Sequence, residues 1–115
     1  MTDYGRSQVV RDFGFELVDN INISPENLEA VKKGMREVAV SGTARDFANY
    51  PVKIAAKTGT AQNSGTDHTT FICFAPYENP EIAVAVVIAH GKYGTASKNV
   101  ARDIMNSYFN LLPNK

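Results

Sequence analysis

The chain has 115 residues, 43% of them hydrophobic, with twelve basic and twelve acidic side chains and no net charge. That length gives one compact domain with a real core, and the balanced charge points to neither a nucleic-acid surface nor a polybasic membrane patch. The longest apolar run, Ile82 to Ala89, is far short of the ~20 residues of a spanning helix, and Met1 to Arg6 lacks the cationic and apolar segments of a signal peptide, so the chain is expected to be soluble.

Residues 1–23 are ambiguous. Phe13, Phe15 and Leu17 alternate with Gly14, Glu16 and Val18 in the manner of a strand. From Ser24 the pattern becomes helical: Ser24 can cap, Pro25 suits the first helical position, and Leu28, Val31, Met35 and Val38 recur every three or four residues. This helix should end before Gly42. A polar, aromatic connection from Ser41 to Tyr50 then leads to an expected strand over Val52 to Thr60, followed by a loop rich in Gly, Ser, Asn and Asp from Gln62 to Asp67.

Thr69 to Ala75 and Ile82 to Ala89 are β-branched, apolar runs joined by the turn-forming segment Pro76 to Glu81, and they should pair as an antiparallel hairpin. In the second run neither alternating face is polar, so both should be covered. The smaller face, Ala83, Ala85, Val87 and Ala89, suits close approach by a helix. The candidate helix is capped by Ser97, with Val100, Ile104, Tyr108 and Leu111 as its stripe. The expected fold is α+β: an antiparallel sheet of three or more strands packed by N- and C-terminal helices, within one domain over residues 1–115.

Lys57-Thr58-Gly59-Thr60 is the stretch that carries chemistry, because it places a cation, two hydroxyls and a glycine at the end of a strand. A strand edge can offer N–H groups to a developing oxyanion, and a glycine admits a substrate backbone. Thr58 and Thr60 can donate to a peptide carboxylate, and Lys57 adds positive charge. The tripeptide Lys-Thr-Gly is weak evidence by itself, but its setting is specific. Together with Ser24 to Leu28, Gly34-Met35, Gly42-Thr43-Ala44, Asp67-His68, Phe71, Phe74-Ala75-Pro76 and Ile82 to Ile88, it resembles the C-terminal part of the transpeptidase domain of class B penicillin-binding proteins. The resemblance covers about residues 24 to 112 and is greatest to the elongation-type peptidoglycan D,D-transpeptidases.

That resemblance implies a partial β-lactamase/transpeptidase-like fold and a serine enzyme that cross-links peptidoglycan stem peptides and is acylated by β-lactams. In the family the lysine, here Lys57, helps organise proton transfer. Thr60 would bind the terminal carboxylate while its N–H completes the oxyanion hole. Lys57 and Thr60 are therefore the candidate catalytic residues, and Lys57, Thr58, Gly59 and Thr60 the candidate substrate-binding ones. The resemblance further implies a parent protein that is extracytoplasmic and anchored in the bacterial cell membrane.

The family nucleophile lies in Ser-x-x-Lys, with a Ser-x-Asn motif across the cleft. Three residues after each serine stand Val10, Asn27, Ala44, Asp67, Val100 and Asn110, so none qualifies. Ser97-Lys98-Asn99 matches Ser-x-Asn in letters, but it follows Lys-Thr-Gly and is read as a helix cap. Both motifs lie upstream in the family, so this chain is expected to be the C-terminal portion of a larger enzyme, without a nucleophile and inactive in isolation. Its partners would then be the remainder of the parent and, through the full domain, stem peptide and β-lactams, with self-association through uncovered sheet. The alternatives are a fragment of a serine β-lactamase or D,D-carboxypeptidase, and a non-catalytic binding or assembly module.

No cofactor or metal is expected. Asp67 and His68 are neighbours that rarely address one substrate atom, and His90 lies too far along the chain to form a ligand set with His68. Lysine precedes the glycine instead of following it, which excludes a P-loop. Cys73, the single cysteine, is expected to be a buried small hydrophobe; it departs from the small residue usual in the family on the strand facing the motif and bears on cleft width.

Overall fold

The computed structural model describes residues 14–62 and 64–111. Residues 14–23 form no regular structure, and Phe15, Leu17, Val18 and Ile21 are exposed, so the alternation over Gly14 to Val18 does not make a strand: its apolar side chains have no sheet to pack against; Phe13 lies outside the described residues. Helix α1, Pro25–Val40, begins as its sequence predicts: the Ser24 hydroxyl accepts the Asn27 N–H at 3.2 Å, Pro25 stands at the first position, and Glu26 lies in the first turn. It closes on Glu37, whose carbonyl accepts the N–H groups of Ser41 and Gly42. A Cβ on Gly42 would lie 2.8 Å from Val38 Cα, so this turn against the helix requires glycine. A single 3-10 turn, Arg45–Phe47, follows.

Three strands form an antiparallel sheet in the order β1 (Ala55–Ala61), β2 (His68–Ala75), β3 (Ile82–Ile88). The expected first strand is shortened at its start, because Pro51 and Val52 form a bend and the strand pairing begins only at Ala55. The register sets Lys57 against Ile72 and Ala85, and Thr58 against Phe71 and Val86. Alternation along each strand then sorts the side chains onto two faces. One face carries Ala56, Thr58 and Thr60 with Thr69, Phe71, Cys73, Val84 and Val86; the other carries Lys57 and Gly59 with Thr70, Ile72, Phe74, Ala83, Ala85 and Val87.

Helix α2, Thr95–Tyr108, covers the first of these faces, contrary to the sequence expectation that it would choose the Ala-rich one. Its buried stripe is Ser97, Ala101 and Met105, and Met105 Sδ meets Cys73 Sγ at 3.7 Å. Val100, Ile104 and Tyr108, expected to face the sheet, are 42%, 42% and 48% exposed. The reason is steric: Ser97 and Ala101 let the helix backbone approach the β-branched Val84 and Val86, and Phe47 fills the space beside them, stacked on Phe71 with ring centroids 5.7 Å apart. Tyr50 completes the layer with its hydroxyl donating to Asn106 at 2.6 Å.

Ser97 is therefore not the cap. Gly94 holds that position, and the Ser97 hydroxyl turns back to donate to the Gly94 carbonyl at 3.0 Å. The opposite sheet face is only partly covered. Met35 of α1 with Ile72, Phe74, Ala83 and Ala85 borders an apolar hollow of about 240 Å³, while Val87 is 72% exposed, so the expectation that both faces of β3 are covered does not hold among the described residues. Leu28 and Val31 of α1 are exposed as well.

These contacts give opposite expectations for neighbouring residues of α2. Met105→Ala should destabilise the fold by about 2–5 kcal/mol, whereas Ile104→Ala should cost less than about 1 kcal/mol. Urea unfolding followed by circular dichroism measures both; similar losses would mean that the stripe facing the sheet is misassigned.

Candidate active site

β1 pairs with β2 along one side only, so its other edge presents alternate N–H and C=O groups without strand partners. Along that edge Thr58 and Thr60 fall on the face covered by α2, and Lys57 and Gly59 fall on the other. Gly59 pairs with Thr70, and a Cβ there would run into the Thr70 hydroxyl. Glycine at this position thus has a cross-strand cause within the sheet.

Thr58, Gly59 and Thr60 border a polar hollow of about 200 Å³, completed by Thr43 from the turn after α1 and by Gly94, Thr95 and Lys98 from the start of α2. Gly94 at the α2 cap has no side chain to accept from the first-turn N–H groups, and the backbone N–H of Lys98 is the one that reaches back to the Gly94 carbonyl, at 3.2 Å. The earlier N–H groups of the first turn therefore add positive potential next to the threonine hydroxyls. Donors and partial positive charge converge here, an arrangement suited to a carboxylate.

Lys57 is not part of this wall. Its Nζ donates to the carbonyl of Thr58 at 2.6 Å, on the exposed side of the strand. The structure thus keeps Thr58, Gly59 and Thr60 together and sets Lys57 beside them, on the face away from α2. Thr43 and Lys98 were given no role by the sequence. Thr43 lies in the Gly42-Thr43-Ala44 match, but nothing in that tripeptide shows that its hydroxyl meets Thr58, at 2.7 Å between oxygens.

Lys98 is held by Asp46, with Nζ to carboxylate oxygen distances of 3.0 and 3.2 Å, and it also donates to the Thr43 carbonyl at 3.2 Å. Partial burial would raise the Asp46 carboxyl, but hydrogen bonds from Lys98 and from its own backbone, with the charges of Lys98 and Arg102, hold it below the usual carboxylate range.

The remaining sequence candidates lie elsewhere. Cys73 pairs with Ala56 and is 3% exposed; burial pushes its thiol up to about 11, and it packs in the core instead of bordering the hollow, so its bearing on cleft width is at most indirect. His68 Nδ1 accepts the backbone N–H of His90 at 2.9 Å, and His90 Nδ1 lies 2.9 Å from the Thr66 carbonyl. These rings tie the loop before β2 to the segment after β3. No cluster of three or more His, Cys, Asp or Glu suited to a metal occurs among the described residues.

Residues 15–106 match the penicillin binding protein transpeptidase domain. The chain belongs to that family. It is 34% identical over 124 residues to penicillin-binding protein 2A of Bacillus subtilis, covering 93% of this chain and 17% of that protein. It is 39% identical over 97 residues to the peptidoglycan D,D-transpeptidase MrdA of Escherichia coli, covering 68% of this chain and 15% of the relative. The solved structure of penicillin-binding protein 2B from Streptococcus pneumoniae superposes with a TM-score of 0.74 at 30% identity, over 95% of this chain and 20% of that one. The class B resemblance and the α+β partial fold are thereby established, and the chain spans about a sixth of the length of these curated relatives.

Because Asp46 titrates below its unfolded value, its pairing stabilises above the unfolded carboxylate range, about pH 4, and that contribution is lost as pH falls through the folded value. Wild type should exceed Asp46→Asn in stability at pH 7, with the gap closing on acidification. Thermal melts of both proteins from pH 7 to pH 3 test this, and a gap that is constant with pH would remove the pair as its source.

Proposed function

We propose that this chain supplies the carboxylate-binding wall of a serine D,D-transpeptidase that cross-links peptidoglycan and is acylated by penicillin. The observation that carries the proposal is the pair Thr58 and Thr60, on one face of a free strand edge, lining a polar hollow with the first turn of α2. A stem peptide or β-lactam would lie along β1, its carboxylate accepting from the two hydroxyls, while an edge N–H of Thr60 receives the oxyanion. Gly59 keeps the strand low enough for that approach.

Lys57, next to the hollow and facing the other way, would meet the residues that organise proton transfer. The attacking serine and its lysine would come from Ser-x-x-Lys in the remainder of the parent, with Ser-x-Asn opposite, since no serine of this chain has the required lysine. Attack on the D-alanyl-D-alanine bond would give an acyl-enzyme and release D-alanine, and the amine of a second stem would then take the acyl group. Peptidoglycan lies outside the cytoplasmic membrane, so the parent would work there, anchored to it. No helix among the described residues is long and apolar enough to cross a membrane, so the anchor would lie elsewhere in the parent.

Two measurements test the site. The isolated chain should take no covalent label from a fluorescent penicillin, whereas the full-length protein should; stoichiometric labelling of the chain would show a nucleophile within it. In the full-length protein, Thr60→Val should slow acylation by benzylpenicillin about tenfold or more, the cost of losing a hydrogen bond to a charged group. An unchanged rate would contradict the role of Thr60.

The remainder of the parent would also cover the open face bearing Ile72, Ala83, Ala85 and Val87 and the free edge of β3. In isolation the chain should therefore self-associate at high concentration. Sedimentation velocity would show this, and a monomer at every concentration would argue that the face needs no partner.

A further inference from the structure

We infer that Thr43 is a positioning residue for the Thr58 hydroxyl, and that α2 holds it in place through Lys98. The inference rests on the carboxylate reading of the hollow and adds the device that aims one of its donors. Thr43 Oγ1 and Thr58 Oγ1 are 2.7 Å apart, so one hydroxyl must donate to the other. When a carboxylate occupies the hollow it has no proton to give, and the Thr58 proton must point to it. The Thr43 proton then points to Thr58 Oγ1. A hydroxyl that accepts one hydrogen bond is a stronger and better-aimed donor in the next.

Such a relay works only if Thr43 cannot drift, and its backbone is fixed on both sides. Gly42 is pressed against Val38, and the N–H of buried Ala44 donates to the Val38 carbonyl at 3.1 Å. The Arg45 N–H donates to the Gly42 carbonyl at 3.2 Å. From the other direction Lys98 reaches out of α2 to the Thr43 carbonyl and clamps Asp46, three residues on, with its side chain only 14% exposed. The cation of Lys98 is already neutralised by Asp46, which disfavours it as the direct partner of the carboxylate and favours it as the anchor of the turn. Residues more than fifty positions apart in sequence thus converge on one hydroxyl.

The test uses the full-length protein and two acylating probes, benzylpenicillin and its methyl ester, which lacks the carboxylate charge. Wild type should react faster with the acid. Thr43→Val removes the relayed proton at nearly constant volume and should narrow the acid-to-ester rate ratio about fivefold, the acid rate falling more than the ester rate because a carboxylate is the stronger acceptor. Thr43→Ser keeps the proton and should preserve the ratio; Lys98→Met should narrow it in the same direction as Thr43→Val. Thermal melts of each variant serve as the control for folding. A ratio that keeps its wild-type value in Thr43→Val, whether both rates fall together or neither moves, overturns the inference. Thr60→Val separates the two levels: if it narrows the ratio and Thr43→Val does not, the carboxylate reading stands and the role of Thr43 falls.

Discussion

One-sided pairing of β1 is the constraint on which the site depends. Hydrogen bonding to β2 fixes its register over seven residues, and with it the face on which every side chain falls. A slip of one residue would send Thr58 and Thr60 to the open face and put Lys57 and Gly59 against α2, where a lysine could not be buried. The same pairing leaves the far edge free, so the backbone groups a peptide would use sit beside the side chains that would hold its carboxylate. Sheet and site are thus one arrangement.

The burial of α2 follows from that register. Because Phe71, Cys73, Val84 and Val86 share a face, the helix that covers them must present small residues at its start, and Ser97 and Ala101 provide them. The helix start then lies next to Thr58 and Thr60, and its first turn contributes both N–H potential and Lys98. Packing and polarity are coupled here: moving α2 outward to admit a larger residue at position 101 would also withdraw Lys98 from the Thr43 carbonyl.

Much of this was legible in the sequence, where local chemistry and tertiary demands agree. The Ser24-Pro25 start of α1 and its closure at Gly42 are capping decisions made within a few residues. The hairpin of β2 and β3 follows from two β-branched runs and the turn between them. What misled was hydrophobicity used as a guide to burial. In α2 the larger apolar residues, Val100 and Ile104, lie outward, while the sheet takes Ser97 and Ala101, because close approach favours small volume over apolar area. In β3 apolar residues on both faces predict cover on both, yet Ala83, Ala85 and Val87 remain open among the described residues. A chain spanning about a sixth of its relatives can carry surface whose partner is encoded elsewhere, and periodicity cannot distinguish that surface from a closed core.

The motif Lys57 to Thr60 shows the same limit from the chemical side. Its residue types announce a cation and hydroxyls, and a strand pattern announces alternation, but alternation divides the motif: the hydroxyls belong to the hollow and the lysine to the opposite side of the strand. Thr43 and Lys98 enter through contacts made across long sequence separations, one from a helix-ending turn and one from a helix start, and neither position has a local pattern that marks it. What distinguishes them is that their polar atoms are already committed to one another and to Thr58. A surface threonine and lysine without those commitments would lose side-chain entropy for little gain, whereas here Asp46, the Thr43 carbonyl and the tight Gly42 turn have already fixed the geometry before any ligand arrives. The polar wall is therefore preorganised by contacts that also hold the fold together.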